Sequence, residues 1–462
     1  MKTSASDRSN SQPSVLGFVL LASLLLSGCT SSYLRSDPQF VLTSDPIGAP
    51  LVGIGAQMNP YLYCRPNWGD VSEEKITALE AKVIALHPQH VRIFTQLDWF
   101  AEKPHDWIAK DDPRMRESFI RTVRLAQRAG ATVNLSLWFG FWKTPEQSAA
   151  KFAAILKELI ENEHLTAIQY VTLGNETNAY EDKVPMALYN RCYLALDREL
   201  RRVGLREHIK IISGDLVQTS QARWFANLAE NLADVSDGYS AHMYWDYWDT
   251  EKLMRRVSEV PPIVQSLPPE GQRPLYITEF GVRGFHRFKD EPGYFIDGVR
   301  ICDTNTQAMQ IAWFILEALN RGYVTCVVWD CYDAWYDRLM HYGLIDDVFH
   351  HWRTRPAYDV VRLFTHTIEP GWRAVSIERQ TARDDLTLAA TRGDDGRFAI
   401  YALNRSQSEQ TFRIRCSSPN EVLFVTATKQ KPQVVRADST GTVRITLPST
   451  SLIALTSIRP AL

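Results

Sequence analysis

Eight apolar, β-rich runs recur along the first three quarters of the chain, at 51–57, 90–95, 132–138, 168–175, 209–215, 238–244, 274–279 and 325–329. Each reads as a strand. Between them lie stretches with helical spacing of apolar positions, among them 72–86, 145–162, 184–203 and 305–320. The second of these opens on Thr144-Pro145-Glu146-Gln147, which predicts a capping box with proline in the first turn, and the fourth is stopped by Gly322. Strands alternating with helices predict an α/β fold with a parallel sheet. Eight repeats over roughly 320 residues suit a (β/α)8 TIM barrel with loop insertions better than an open sheet. No G-x-G-x-x-G or Walker sequence follows any strand, which counts against a nucleotide-binding open sheet.

The pattern changes after about residue 366, where helical periodicity stops. Short alternating runs follow at 397–403, 410–415, 422–426 and 443–446, separated by turn signals at 393–396, 417–420 and 440–441. They predict a small C-terminal antiparallel β-sandwich. Phe398, Tyr401, Phe412 and Phe424 fall at alternating positions that suit a core, so a packing role is favoured over sugar binding for this part. The expected organisation is a barrel over 48–366 and a sandwich over 367–462.

The N-terminus reads as an address. Residues 1–14 are polar with Lys2 and Arg8, and Val15–Leu26 is an apolar run too short to span a bilayer core of about 30 Å. Leu26-Ser27-Gly28-Cys29 resembles the bacterial lipobox, in which the cysteine is diacylated and becomes the first residue. That resemblance implies a signal peptide over 1–28, a lipid anchor at Cys29 and a tether over 29–47. The absence of aspartate after Cys29 favours the outer membrane in the lipoprotein pattern. Export places Cys64, Cys192, Cys302, Cys326, Cys331 and Cys416 in an oxidising compartment, but no spacing specifies a pairing or a metal site. Cys192 and Cys326 lie in apolar runs and read as buried thiols.

Composition narrows the chemistry. The 462 residues carry 51 Lys+Arg against 53 Asp+Glu, a net charge of −2, so nothing global draws the chain to nucleic acid. The 13 Trp, 18 Tyr and 19 Phe supply flat apolar faces, several beside polar loop residues, as sugar rings require.

In a barrel of this kind the site lies at the C-terminal ends of the strands. The second predicted strand offers Arg92, the third Trp138, the fourth Asn175-Glu176, the sixth His242-Met243-Tyr244-Trp245, the seventh Glu279 and the eighth Trp329. Two glutamates at strand ends can flank a glycosidic bond, one as acid/base and one as nucleophile. Arg92, Asn175-Glu176, His242-x-Tyr244, Glu279 and Trp329, in this order over residues 50–365, resemble the pattern of the clan A glycoside hydrolases, the 4/7 superfamily. The resemblance implies a retaining β-glycosidase acting on a poly- or oligosaccharide by double displacement. It casts Glu176 as the acid/base and Glu279 as the nucleophile, kept ionised by Arg92 and oriented by the Tyr244 hydroxyl. Asn175 would hold the sugar 2-hydroxyl, His242 would line the same subsite and Trp329 would form its floor.

Bland readings compete with each of these. Arg92 has the alternative of a structural ion pair, His242 of a satisfied core histidine and Tyr244 of packing alone. Trp138, Trp142 and Trp245 divide between sugar platforms and packing. Asn59, Tyr61 and Trp68 follow the first strand, and Asp330, Tyr332 and Asp333 follow the eighth, where either set could meet substrate. Asp346-Asp347 reads as a solvated loop, and His350-His351 as a surface pair without a third ligand. No cofactor or metal is expected, and the chain is expected to be a monomer. A transglycosylase remodelling an envelope glycan would use the same residues. A non-catalytic sugar-binding lipoprotein would have no need of the glutamate pair.

Overall fold

The computed structural model describes residues 38–460 apart from 65–70, 104, 107–111, 139–140, 219–220, 284–294, 334–340 and 381–382. Cys29 and Trp68 therefore lie outside the described residues. The chain runs β1 (Phe40–Ile47), β2 (Gly53–Ala56), α1 (Glu73–Leu86), β3 (His90–Thr95), α2 (Met115–Arg128), β4 (Thr132–Leu137), α3 (Pro145–Lys157) and β5 (Ile168–Leu173). It continues through α4 (Met186–Arg202), β6 (Lys210–Leu216), α5 (Gln221–Asn231), β7 (Gly238–Trp245), α6 (Thr250–Gln265) and β8 (Leu275–Val282). After a hairpin of β9 (Phe295–Ile296) and β10 (Val299–Arg300) come α7 (Asn305–Leu319), β11 (Tyr323–Val328) and α8 (Pro356–Thr365).

Eight of these strands form one parallel sheet in the order β2-β11-β8-β7-β6-β5-β4-β3. A parallel bridge between Gln57 and Arg92 closes β2 onto β3. The result is the (β/α)8 barrel, and its strands coincide with the eight apolar runs to within a residue or two at most ends. The runs are continuous because helices cover one face and the barrel interior the other. Toward the N-terminal ends of the strands, Tyr170, Ile212, Tyr276 and Val324 form an apolar cluster, with the His90 ring edge-on to Tyr170. Above it the fully buried side chains turn polar: Arg92, Ser136, Asp215, Ser240 and Thr278. A barrel interior that changes from apolar to ionic along its axis marks the end that carries chemistry.

The rest of the chain supplies β12 (Arg373–Arg379), β13 (Leu386–Arg392), β14 (Phe398–Asn404), β15 (Gln410–Arg415), β16 (Val422–Ala427), β17 (Gln433–Arg436), β18 (Thr442–Leu447) and β19 (Ser451–Thr456). They form the C-terminal β-sandwich with one addition. Residues 40–47, expected in the tether, are β1, paired antiparallel with β12. The alternation of burial shows the packing role directly. Leu388, Ile400, Ala402, Ile453 and Leu455 fill the sandwich core, while Ala389, Tyr401, Leu403, Leu452 and Ala454 join the barrel's core. Barrel and sandwich thus share one compact unit.

Thr144 precedes α3 as expected, and Pro145 opens it, but the Thr144 hydroxyl makes no capping bond. It meets Ser148 Oγ at 3.3 Å instead of the backbone amide that a capping box requires. Cys192 and Cys326 are buried thiols, and all six described cysteines are unpaired. Among the described residues no helix is long and apolar enough to cross a membrane.

Candidate active site

Glu176 and Glu279 come together at the C-terminal end of the barrel, although 103 positions separate them in the chain. Ligand oxygens of the two carboxyls and the His242 ring nitrogen all lie within 4.8 Å of one another. The two glutamates differ in setting. Glu279, within β8, has a side chain 8% exposed, whereas that of Glu176 is 28% exposed.

The turn after β5 explains how Glu176 is delivered. Gly174 has φ +81, and a Cβ there would meet Thr177 Oγ1 at 2.3 Å and Trp142 Cζ2 at 2.6 Å, so only glycine fits. Glu176 itself adopts φ 55, a conformation costly for a residue with a side chain and typical of functional turns. Its amide donates to Asp215 O at 3.1 Å. The Asn178 side chain clamps the same turn to Val217, donating to its carbonyl at 2.6 Å and accepting from its amide at 3.0 Å.

Arg92 projects from β3 with no exposed surface and organises the floor. Its Nη1 donates to Glu279 Oε2 at 2.8 Å and Gln57 Oε1 at 3.1 Å. Its Nη2 donates to Asp215 Oδ2 at 2.5 Å, Asn175 Oδ1 at 2.7 Å and Ser136 Oγ at 3.0 Å. Asn175 thus has its carbonyl fixed toward Arg92. Tyr244 donates its hydroxyl to Glu279 Oε1 at 2.7 Å. Burial keeps that phenol well above its usual pKa, so it remains a donor. His242 Nδ1 meets Glu176 Oε1 at 3.1 Å and Glu279 Oε2 at 3.9 Å.

Electrostatics separate these groups. Burial alone would lower the His242 imidazolium, but the Glu279 and Asp215 carboxylates outweigh it and push it up to about 10. Burial would raise Asp215, yet Arg92 and His242 hold it well below the usual carboxylate range. For Glu279, burial is the larger effect and lifts the carboxyl above its ordinary value, against the pull of His242 and Arg92. Arg92 is therefore beside Glu279 as expected, but its charge offsets only part of the desolvation.

An aromatic cluster reaches Glu279 through Tyr244. Trp329 packs with Phe94, Tyr342, Tyr244 and Trp138. Trp138 stacks on Phe94 at 4.5 Å and 14°. The Trp329–Asp330 peptide bond is cis.

Other candidates lie elsewhere. Trp245 is fully buried, donates to Gln310 at 2.8 Å and stacks on Phe314, so it is core. Trp142 stacks on Tyr189 behind the Gly174 turn. Asn59 is 1% exposed and caps the following turn through Oδ1, which accepts from Tyr61 N at 3.1 Å. The expected substrate contact there gives way to a structural one. Tyr61 is buried against Asp106, and the Tyr332 hydroxyl donates to Asn59 O at 3.0 Å. Asp330 and Asp333 are buried as well. Asp346 and Asp347 are buried rather than solvated, because Arg355, Arg353 and Arg300 converge on Asp346 and the end of Asp347 caps a short turn. His350 remains half exposed beside Asp347.

Sequence reasoning missed Asp215. The fifth predicted strand ends on Ser213-Gly214-Asp215, so an acidic residue at a strand end was the available signal. Among the described residues, three groups of carboxylates and histidines bring ligand atoms within 4.8 Å: Glu176, His242 and Glu279; Asp333, His341 and Asp346; and Asp346, Asp347 and His350. In each an arginine already supplies the counter-charge, Arg92 on Glu279 and Arg355 on Asp333 and Asp346.

No protein-family profile and no curated protein matches the sequence. Solved structures do match the fold. The α-L-arabinofuranosidase from Thermotoga maritima, in its arabinose complex, superposes with a TM-score of 0.67 at 14% identity, over 91% of this chain and 99% of that one. The catalytic domain of the GH30 xylanase C from Talaromyces cellulolyticus gives 0.64 at 14%, over 90% and 99%. The endo-β1,6-glucanase BT3312 gives 0.61 at 12%, over 92% and 96%. At these identities the likeness is one of fold: a barrel and a sandwich arranged as in this chain.

Proposed function

We propose that the protein is a retaining glycoside hydrolase, with Glu279 as nucleophile and Glu176 as acid/base. The observation that carries this reading is the paired carboxyls within 4.8 Å, in unequal surroundings. Retaining enzymes hold the two groups about 5–5.5 Å apart, whereas inverting ones need about 6.5–9.5 Å to admit a water. The surroundings assign the roles. Glu279 accepts from Arg92 and Tyr244 on its two oxygens, as befits a carboxylate that must be ionised and aimed. Glu176 is more exposed, with one oxygen toward His242, leaving the other to hold a proton for the leaving oxygen.

The reaction then runs in two steps. Glu279 attacks the anomeric carbon as Glu176 protonates the departing oxygen, giving a glycosyl-enzyme ester. Glu176 next takes a proton from water, which displaces Glu279 and restores the original configuration. The Trp329 floor offers an apolar face to the sugar ring. The structural neighbours named for xylan, arabinofuranoside and β-1,6-glucan chemistry support a poly- or oligosaccharide as the substrate class. We further propose that the lipobox-like Leu26–Cys29 anchors the enzyme to the cell envelope, at the outer membrane.

A panel of aryl glycosides and polysaccharides, with the first product read by proton NMR before mutarotation, tests the assignment. Retention of anomeric configuration is expected. Inversion, or no cleavage across the panel, would overturn it.

A further inference from the structure

Asp215 has no part in the two steps above, yet it touches both cations of the site. Its side chain is fully buried at the end of β6. Oδ2 takes Arg92 Nη2 at 2.5 Å. Oδ1 accepts from the hydroxyls of Ser240 at 2.9 Å and Thr278 at 2.5 Å, and lies 3.4 Å from His242 Nε2. The charged groups facing His242 are therefore Asp215 from β6, Glu176 from the turn after β5 and Glu279 from β8. Arg92 from β3 reaches the last of these as well as Asp215.

We propose that Asp215 is a positioning residue that keeps the His242 ring doubly protonated, so that its Nδ1–H serves the negative charge wherever the reaction puts it. The proposal rests on Glu176 and Glu279 having the roles given above. Before reaction, Arg92 and His242 balance Asp215 and ionised Glu279, with Glu176 protonated. In the first step the Glu279 electron pair forms the bond to the anomeric carbon and the glycosidic C–O bond breaks. The Glu176 proton goes to the departing oxygen. The negative charge has then moved from Glu279 to Glu176, and the net charge of the buried site is unchanged. His242 Nδ1 lies 3.9 Å from the carboxyl that loses the charge and 3.1 Å from the one that gains it. A fixed cation between the two ends stabilises the shift without rearrangement. Because Nδ1–H occupies Oε1 of Glu176, the transferable proton resides on the other oxygen. The high pH at which His242 would lose its proton agrees with this geometry.

Asp215→Asn keeps the shape and removes the charge. The buried site then carries one excess positive charge, and His242 sheds its proton to relieve it. Ring-15N histidine NMR reads this without any need for activity, with the His242 signal assigned by its loss in His242→Gln. In the wild type both His242 ring nitrogens are expected at imidazolium positions from pH 6 to 9. In Asp215→Asn the ring is expected to titrate between about pH 5 and 8. For that variant above its new midpoint, kcat/KM on a glycoside with a poor leaving group falls about 10- to 100-fold. With a dinitrophenyl glycoside, which needs little proton donation, it falls less than about threefold. A neutral His242 in the wild type at pH 7.5 would overturn the proposal even if the variant fails to fold. So would an imidazolium that persists to pH 9 in Asp215→Asn, or equal losses on both substrates, the mark of a merely structural residue. No hydrolysis of any glycoside by the wild type would remove the glycosidase reading and this role with it, while the NMR still reads the Asp215–His242 pairing.

Discussion

Tyr244→Phe isolates one hydrogen bond on Glu279, the proposed nucleophile. The phenol donates to Glu279 Oε1 at 2.7 Å and is one of the groups that favour the ionised carboxylate. Its ring packs with Phe94, Trp329 and Tyr342, and phenylalanine keeps those contacts. A hydrogen bond to a charged group contributes about 1.5–3 kcal/mol, and one pKa unit corresponds to about 1.4 kcal/mol. Arg92 remains on the other oxygen, so the lower end applies, and Glu279 should ionise about one pH unit higher. The sign follows from the role proposed for Glu279: a nucleophile reacts ionised, protonation below its pKa abolishes attack, and losing a donor raises that pKa. The acid limb of kcat/KM on an activated aryl glycoside should move about one unit toward neutral pH, and the wild-type limb should itself lie above the ordinary glutamate value of 4.5. An acid limb that stays in place, or moves to lower pH, would show that Tyr244 does not stabilise an ionised Glu279.

Other perturbations follow from the same contacts. Arg92→Met leaves Asp215 and Glu279 without their guanidinium and should cost about 3–5 kcal/mol of stability in urea unfolding, along with activity. Arg355→Met, away from the carboxyl pair, takes the buried guanidinium from Asp333 and leaves Asp346 to Arg300 and Arg353 alone, and should destabilise by about 3–5 kcal/mol in urea unfolding. Trp329→Ala removes the proposed sugar floor and a side chain only 7% exposed, so it should raise KM on natural substrate and also cost about 3–5 kcal/mol of stability, read by steady-state kinetics and urea unfolding. His242 is held charged to about pH 10 in the folded chain, against about 6.5 when unfolded, so its stabilising contribution is complete below pH 6.5 and lost as pH rises through 10. The urea midpoint should fall across that window, and the fall should flatten in Asp215→Asn.

Much of this was legible in the residues because both periodicities are strong. The eight barrel strands are buried on both faces and rich in apolar residues, so each stood out as a run, and the strand ends then brought Arg92, Glu176, His242, Tyr244, Glu279 and Trp329 to one rim. What escaped depends on partners remote in sequence. Strand β1 alternates weakly and carries Asp45-Pro46, so it reads as a tether, and only its pairing with β12 makes it a strand. Asp346 and Asp347 look like a solvated pair until Arg300, Arg353 and Arg355 are folded onto Asp346 and Asp347 caps its turn. Asn59 offers a polar side chain at a strand end, but a local turn uses it first. Asp215 is the instructive omission, since a buried acid beneath two cations has no local signature beyond its place at the end of a strand.

The central claim is that Glu279 forms the bond to sugar. Glu279→Ala in the presence of azide tests it most directly, with a dinitrophenyl glycoside that the wild type cleaves. The variant alone should be inactive. Azide should restore turnover by entering the space of the missing carboxylate and yield a glycosyl azide of configuration opposite to the substrate. Substantial hydrolysis by Glu279→Ala without azide, or a glycosyl azide of retained configuration, would contradict the assignment of Glu279 as nucleophile.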